Sequence, residues 1–371
     1  MNIGMTCYPT YGGSGAVAAE LGIELAKRGH NIHFISYRLP FRLSKFYRNI
    51  FFHEVETMEY SLFKYPPYSL SLSAKMAEVI ESEKLDLLHV HYAMPHATSA
   101  YLAKKIIGDR IKFITTLHGT DITLVGNQQS FYSITKFSID ESDGVTCVSN
   151  YLKEMTKKIF KTNKEMEVIY NFVDTEKYKR TLKNRENMEF VDPDDKVIIH
   201  ISNFRPVKRI ENIVKVFLKV SSVVKSKLLL VGDGPDICRI RDLVYKLNLE
   251  NSVLFLGIQE NIIPLLNISD VYMLPSKSEG FGLSALEALS CEVPVIGTNV
   301  GGLKEVIENG KSGYLFDPGD IDSMSEAVVK IIKSKEIRSE MGIEARKRAK
   351  LFDSKLIVPK YLEYYKRILN D

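Results

Sequence analysis

Short runs of apolar, β-branched residues alternate along the chain with longer stretches in which apolar positions recur every three or four residues. The short runs predict buried strands and the longer stretches predict amphipathic helices, an alternation typical of parallel sheets covered by helices. The helix predicted over residues 15–28 has Val17, Leu21 and Leu25 on one face, and Gly29 ends it. The predicted strands form two successive sets, at residues 3–7, 32–36, 87–91, 113–117 and 145–148, and at residues 197–202, 227–231, 252–256, 271–274, 293–297 and 313–316.

The repeated pattern predicts an α/β protein with two doubly wound, Rossmann-like domains, and 371 residues also correspond to about two domains. The charged, irregular stretch 177–195 predicts a boundary near residue 170, which gives domains 1–170 and 171–353. We expect the remaining helix, 354–371, to pack back toward the N-terminal domain. Ligands of such folds bind at the carboxyl ends of the strands, so we expect the domains to face each other across a cleft that holds the active site.

The composition narrows the class of protein. Hydrophobic residues at 45% and charged residues at 26% are ordinary for a globular chain and exclude disorder. A formal charge of +4 is too small to predict a nucleic-acid partner. The four cysteines lack CxxC or zinc-binding spacing, so we expect reduced thiols and no structural zinc. The chain has neither a signal-peptide pattern nor an apolar run near the roughly 20 residues of a membrane span, which predicts a cytoplasmic protein without a membrane partner.

The loop after the first predicted strand contains Gly13 and Gly15 and leads directly into a helix. Glycines leave backbone N–H groups open to an anion and the helix start adds positive charge, so the loop predicts a diphosphate site. The spacing Gly13-x-Gly15-x-x-Ala18 also fits a dinucleotide fingerprint. Residues 8–11 lie between the strand and the glycines, and the second strand ends without an acidic residue, which argues against nicotinamide chemistry. A simple tight turn remains an alternative.

The segment 278–289 carries two glutamates, Glu279 and Glu287, with seven residues between them. A helix beginning near Phe281 would offer N–H groups to phosphate or sugar hydroxyls, with one carboxylate for a donor sugar and the other for a ribose. The alternative is a helix cap at Glu279 and a solvated side chain at Glu287. The cations Arg205, Lys208 and Arg209 follow a predicted strand and suit a leaving diphosphate, unless that loop is merely solvated.

Polar residues of the first domain also follow predicted strands. His118 and Thr120 should face the cleft, with His118 as a general base or as a group that positions hydroxyls. We expect His89 and His91 to face opposite sides of their strand, at least one of them in the core. The basic and aromatic stretch 38–48 suits an anionic acceptor or an anionic membrane surface, or is a solvated loop.

Taken together, these segments resemble the retaining glycosyltransferases of family 4, which have the GT-B fold of two Rossmann-like domains. The resemblance covers nearly the whole chain and is most specific at residues 275–287, 301–302 and 313–315. Residues 6–10, 35–43, 89–93, 117–121 and 202–209 resemble one member of this family still more closely. That closer resemblance implies transfer of N-acetylglucosamine from UDP-GlcNAc to the hydroxyl of L-malate, the first step of bacillithiol biosynthesis. It further implies retention at the anomeric carbon and no metal or other cofactor, with the two small molecules as partners; a homo-oligomer stays open.

The resemblance also assigns roles by position. Glu279 and His118 would contact the donor sugar, Arg205 and Lys208 the diphosphate, and Glu287 the ribose. Further expected donor contacts are Gly13, Gly280, Phe281, Gly282 and Leu283, and the expected acceptor contacts are Tyr92, Thr120, Ser149 and Asn150.

One departure from the family pattern affects the diphosphate site, because the usual arginine five residues before the lysine is Asn203. If Arg205 does not replace it, the diphosphate depends on Lys208 and Arg209. No side chain is placed to attack the anomeric carbon, so a front-face mechanism is favoured, in which the leaving phosphate oxygen takes the acceptor's proton. Other acceptors (an anionic lipid or a sugar phosphate), a UDP-sugar 2-epimerase and a non-catalytic nucleotide-sugar sensor remain alternatives.

Overall fold

The computed structural model describes residues 1–57, 61–126, 128–181 and 188–370. The chain divides into two compact units. The N-terminal unit comprises residues 1–171 and 355–371, and the C-terminal unit comprises residues 172–354. This division lies next to the boundary expected near residue 170. No helix of the described residues is long and apolar enough to cross a bilayer.

The N-terminal unit contains a seven-stranded parallel sheet. Its strands are β1 (Asn2–Thr6), β2 (Asn31–Ser36), β3 (Ile50–Glu54), β4 (Leu87–His91), β5 (Lys112–Leu117), β6 (Gly144–Cys147) and β7 (Glu167–Val168), in the spatial order β3-β2-β1-β4-β5-β6-β7. Its helices are α1 (Gly13–Lys27), α2 (Tyr68–Ser82), α3 (Thr98–Ile106), α4 (Gln129–Glu141) and α5 (Asn150–Phe160), with π-helical turns at Ala93–Ala97 and Asp121–Val125.

The C-terminal unit contains a six-stranded parallel sheet. Its strands are β8 (Lys196–Ile201), β9 (Ser226–Val231), β10 (Val253–Gly257), β11 (Val271–Leu274), β12 (Val295–Thr298) and β13 (Gly313–Phe316), in the order β10-β9-β8-β11-β12-β13. A 3₁₀ turn spans Pro206–Lys208, and the helices are α6 (Ile210–Ser221), α7 (Ile237–Lys246), α8 (Ile263–Ile268), α9 (Leu283–Ser290), α10 (Leu303–Val306), α11 (Ile321–Lys333) and α12 (Lys335–Lys350).

The final helix, α13 (Ser354–Asn370), packs on the sheet of the N-terminal unit through its tyrosines. Tyr365 Oη lies 2.7 Å from Nδ1 of the buried His89, and Tyr364 donates a hydrogen bond of 3.2 Å to the carbonyl oxygen of Val145. The tail therefore completes the N-terminal unit, although it follows the C-terminal unit in sequence.

The central strands are buried along nearly their whole length, as parallel sheets covered on both faces require. Two strands lie outside the sequence-based set. The edge strand β3 is only partly buried and its apolar run is limited to three residues, and β7 has two residues, too few to produce a pattern. Both strands extend the first sheet and leave its central order unchanged.

Candidate functional site

The loop after β1 places two glycines in different surroundings. A Cβ on Gly15 would lie 2.5 Å from the carbonyl oxygen of Tyr8, so close backbone packing requires this glycine. A Cβ on Gly13 would meet no atom within 4 Å, and the backbone there is not left-handed. Close packing of the backbone therefore explains why residue 15 is a glycine. At Gly13 there is instead open space over the first turn of α1, where backbone N–H groups point outward. The anion site at this loop stays a prediction.

His118 follows β5 and contacts a buried histidine of the neighbouring strand. Its Nε2 lies 2.8 Å from Nδ1 of His91, at the end of β4. The loop is held by Asp121, whose Oδ1 accepts the backbone N–H groups of His118 at 3.2 Å and of Gly119 at 2.8 Å. Asp121 was not assigned a role from the sequence, although its position three residues after His118 suits this type of loop closure.

Tyr92 and Thr120 meet beside His118. Their hydroxyl oxygens are 2.8 Å apart, and the Tyr92 ring stacks on the His118 ring with centroids 5.5 Å apart. Tyr92 has a φ of 87°, a left-handed conformation uncommon for a bulky residue and characteristic of functional sites. The structure thus brings together three of the residues predicted to contact sugar or acceptor.

Burial keeps the imidazoles around His118 neutral. It lowers the pKa of His118 and of His89 to about 3 and that of His96 to about 4, and it lowers the pKa of His91 well below its ordinary value. A group with so low a pKa is a weak base toward a hydroxyl. Of the two roles predicted for His118, the positioning of hydroxyls is therefore favoured.

The contact between His91 and His118 also indicates which nitrogen carries the proton. Nε2 of His91 is buried and has no hydrogen-bond partner among the described residues. An unpaired lone pair is less costly there than an unpaired N–H, so the proton of His91 belongs on Nδ1, where it is donated to Nε2 of His118. His118 then carries its own proton on Nδ1 and can donate it to a substrate oxygen.

The side chains of His89 and His91 lie on the same face of β4, not on opposite faces as predicted. Their ring centroids are 4.5 Å apart, because residues two positions apart in a strand lie on the same face; the prediction of opposite faces was wrong. His89 belongs to the core, where its ring nitrogens contact Tyr365 Oη and Thr116 Oγ1, each at 2.7 Å.

Ser149 and Asn150 lie after β6, at the start of α5. Ser149 is buried and is the N-cap of this helix, since its Oγ accepts the backbone N–H of Leu152 at 3.1 Å. Asn150 is exposed, and its Nδ2 donates to Tyr170 Oη at 2.8 Å. A capping role therefore accounts for Ser149, and acceptor binding by these two residues stays a prediction.

In the C-terminal unit, Lys208 and Glu279 form an ion pair between two strand-end loops. Lys208 Nζ lies 2.6 Å from Glu279 Oε2, and the side chains are 18% and 15% exposed. Ser276 Oγ donates to the same oxygen at 3.2 Å, and the backbone N–H of Lys277 donates to the carbonyl of Val207 at 2.8 Å. Two of the predicted site residues are therefore in direct contact.

Glycines bring the backbone around Glu279 into close contact. A Cβ on Gly301, whose φ is 54°, would lie 2.1 Å from the carbonyl oxygen of Glu279, and a Cβ on Gly302 would lie 2.2 Å from that of Gly280. Helix α9 begins at Leu283, not near residue 281, because Gly282 has a left-handed φ of 99°. The outward-pointing N–H groups of the first turn thus start two residues later than expected.

The two alternatives for the glutamates do not fit the structure. Glu287 is 3% exposed, so it is not a solvated helix residue. Glu279 is not a helix cap, since the N-cap of α9 is Gly282 without a side-chain hydrogen bond. Phe281 is buried with its ring against Phe352, at 5.6 Å between centroids, so any ligand contact of this residue would have to come from its backbone.

The predicted cationic loop follows β8. Arg205 is exposed at the start of the 3₁₀ turn, and its carbonyl accepts the backbone N–H of Lys208 at 2.9 Å. Asn203, at the position of the family arginine, has a buried Oδ1 without a hydrogen-bond partner in the described part of the chain. A Cβ on Gly234 would lie 2.1 Å from the carbonyl of Asn203, so this loop is tightly packed on the turn after β9.

Two family models match the chain. The model described as Glycosyltransferase Family 4 matches residues 11–177, and the model described as Glycosyl transferases group 1 matches residues 183–348. N-acetyl-alpha-D-glucosaminyl L-malate synthase from Bacillus anthracis is 50% identical over 373 residues, covering 100% of this chain and 98% of the relative.

Solved structures give the same fold. Sucrose-phosphate synthase from Thermosynechococcus elongatus superposes with a TM-score of 0.83 at 20% identity, covering 100% of this chain and 99% of that one. Anabaena Alr3699/HepE in complex with UDP-glucose gives 0.82 at 19% identity, covering 99% and 100%. The predicted GT-B fold with two Rossmann-like, parallel-sheet domains is confirmed.

Proposed function

Because this chain belongs to the family 4 glycosyltransferases, we propose that it transfers N-acetylglucosamine from UDP-GlcNAc to the hydroxyl of L-malate. The observation that carries the proposal is half identity, over the full length of the chain, to a relative named for the synthesis of this product. The reaction is the first step of bacillithiol biosynthesis, and we place it in the cytoplasm with the two small molecules as partners.

The C-terminal unit supplies the groups that bind the donor. A lysine ammonium has three N–H bonds, so Lys208 can hold Glu279 with one and phosphate oxygens with the others. The hydrogen bonds from Lys208 and Ser276 both reach Oε2 of Glu279, which leaves Oε1 to accept sugar hydroxyls. The exposed Arg205 adds a second cation for the diphosphate, and the buried Glu287 binds the ribose.

The N-terminal unit supplies neutral hydrogen-bonding groups. His118 donates from Nδ1 to the sugar, while the paired hydroxyls of Tyr92 and Thr120 contact the acceptor together with Ser149 and Asn150. The open turn at Gly13 receives the diphosphate against backbone N–H groups. None of these groups has to change its charge during the reaction.

The chemical step follows from this distribution of charge. The bond between the anomeric carbon and the UDP oxygen breaks, and a bond from that carbon to the malate oxygen forms on the same face, with retention. The proton of the malate hydroxyl moves to the departing phosphate oxygen, because His118 is too weak a base to take it. Lys208 and Arg205 stabilise the charge on UDP as it leaves, and we expect no metal in this step.

The test is UDP release from UDP-GlcNAc by the purified protein with L-malate, D-malate, a sugar phosphate or no acceptor. We expect strong stimulation by L-malate alone. Turnover with another acceptor and none with malate would overturn the acceptor assignment. Consumption of UDP-GlcNAc without any acceptor would indicate a 2-epimerase, and binding without UDP release would indicate a sensor.

The same assay with anionic vesicles tests a lipid acceptor. Arg42, in the basic and aromatic stretch, is only 12% exposed and forms an ion pair of 3.4 Å with Glu20. Its guanidinium is thus held within the N-terminal unit, so we expect vesicles to leave UDP release unchanged. Stimulation by vesicles that Arg42→Gln abolishes would favour a lipid acceptor.

A further inference from the structure

Two histidines and a glutamate converge at one edge of the first sheet, on elements that carry none of the proposed catalytic groups. Nδ1 of His33 lies 3.0 Å from Nε2 of His53, and one ligand atom from each of His33, His53 and Glu83 lies within 4.8 Å of the others. His33 is buried, His53 is half-buried and Glu83 is exposed. No other group of three such residues lies this close together in the part of the chain that the structure describes.

The fold holds these side chains in place. In the parallel pairing of β2 with β3, His33 is opposite Phe51 and Ile35 is opposite His53, so both histidines are on one face of the sheet. The ring of Phe51 stacks on that of His33, with centroids 4.8 Å apart. Glu83 ends α2, and its carbonyl accepts the side-chain N–H of Asn2 at 3.0 Å.

We propose that His33, His53 and Glu83 bind a zinc ion, which links β3 to β2 and to the end of α2. Two imidazole nitrogens and one carboxylate oxygen form a donor set typical of zinc, with water as the fourth ligand. Ligand nitrogens around tetrahedral zinc are about 3.3 Å apart at Zn–N distances near 2.05 Å, close to the 3.0 Å between His33 and His53. The exposed Glu83 side chain can move the remaining distance.

The electrostatics of the cluster favour a cation. Glu83 adds a negative charge, and Glu78 and Lys75 nearby form a salt bridge of 2.8 Å with each other. This zinc site is separate from the transfer reaction, which is expected to need no metal. The cysteine spacing does not predict it, because its ligands are two histidines and a glutamate that are far apart in sequence.

The experiment uses the full-length, untagged protein after treatment with a chelator, titrated with Co²⁺ and then with Zn²⁺. Four-coordinate Co²⁺ shows visible absorption bands far more intense than those of the hydrated ion, so the spectrum reports coordination directly. The variants are His53→Ala and Glu83→Gln. The matched controls are Glu81→Gln, an exposed glutamate of α2 paired with Arg110, and His30→Ala, which removes the imidazole 3.2 Å from the amino group of Met1.

We expect one intense Co²⁺ signal per chain, displaced by Zn²⁺, with affinity reduced about 10-fold or more in His53→Ala and Glu83→Gln, as for loss of one ligand or its support. We also expect Zn²⁺ to raise the melting temperature of the wild type and the controls, but not that of these two variants. No intense signal, or a signal that both variants retain, would overturn the proposal and leave His33 and His53 as a hydrogen-bonded pair. Circular dichroism of each variant keeps a folding defect separate from lost binding.

Discussion

The two units present different chemistry at the carboxyl ends of their sheets. Around His118 the imidazoles are kept neutral by burial, and the imidazoles and hydroxyls hydrogen-bond to one another, while the Asp121 carboxyl binds the backbone N–H groups of the loop. Around Glu279 the structure provides a short ion pair with Lys208 and a backbone packed against glycines. Neutral hydrogen bonds are enough to orient hydroxyls, whereas a leaving diphosphate requires cations. The contrast therefore agrees with the proposed roles, in which the N-terminal unit positions hydroxyls and the C-terminal unit stabilises charge.

Removing the central cation should have the largest effect. We expect Lys208→Ala to lower kcat/KM for UDP-GlcNAc by about 10²–10³-fold, as for loss of one preorganised group that stabilises transition-state charge. The control is Lys219→Ala, an exposed lysine of the same unit that pairs with Asp322, which should leave the rate unchanged. A loss of less than about 10-fold in Lys208→Ala would place the main cation elsewhere, with Arg205 as the next variant.

Lowering the pH should destabilise the N-terminal unit more than the C-terminal unit. Burial places the pKa of His89, His91, His96 and His118 well below the ordinary 6.5, so as the pH falls below 6.5 the unfolded chain takes up protons before the folded unit does. Protonation of each imidazole in the unfolded chain then lowers the free energy of unfolding by roughly 1 kcal/mol at pH 6. Asp121 acts in the opposite direction, since burial raises its pKa to about 6 and its protonation favours the folded state, but it is one group against four.

The C-terminal unit is the internal control for this prediction, because His200 is its single histidine. Burial lowers the pKa of His200 to about 4, so this unit should lose roughly 1 kcal/mol at pH 6. Hydrogen exchange followed by mass spectrometry, corrected for the pH dependence of the intrinsic rates, measures both units in one sample. Equal loss of protection in both units between pH 7.5 and pH 6 would contradict the contrast.

Close packing around Glu279 is tested by a pair of glycine variants. Gly301 and Gly310 both have positive φ, 54° and 81°, so alanine is strained at either position. Only at Gly301 would the Cβ meet backbone, 2.1 Å from the carbonyl of Glu279, since at Gly310 nothing lies within 4 Å. We expect Gly301→Ala to lower the free energy of unfolding by roughly 1–3 kcal/mol more than Gly310→Ala does, and to lower activity as well. Equal denaturation curves would show that the loop adapts.

The sequence predicted every strand except β3 and β7, because continuous apolar runs are local signals. It also predicted that candidate site residues follow strand ends, and the structure has His118 after β5 and Lys208 after β8. It did not predict the start of α9, which depends on the left-handed backbone of Gly282, nor the partner of His118, because His91 lies on a neighbouring strand. Contacts between strands that are distant in sequence leave no periodic signal.

The smallest expected effect concerns Ser149, where a structural and a functional role coincide. Its Oγ caps α5 by accepting a backbone N–H, and a hydroxyl is also able to donate, as contact with a malate carboxylate requires. Ser149→Ala should cost about 1 kcal/mol of stability, as should Ser334→Ala, which removes the matching cap of α12 in the other unit. We expect only Ser149→Ala to raise KM for L-malate. The expected increase is about 5–10-fold, which corresponds to the net free energy of one hydrogen bond. If both variants lose stability and keep the same KM, Ser149 is a cap alone and the acceptor contacts reduce to Tyr92, Thr120 and Asn150.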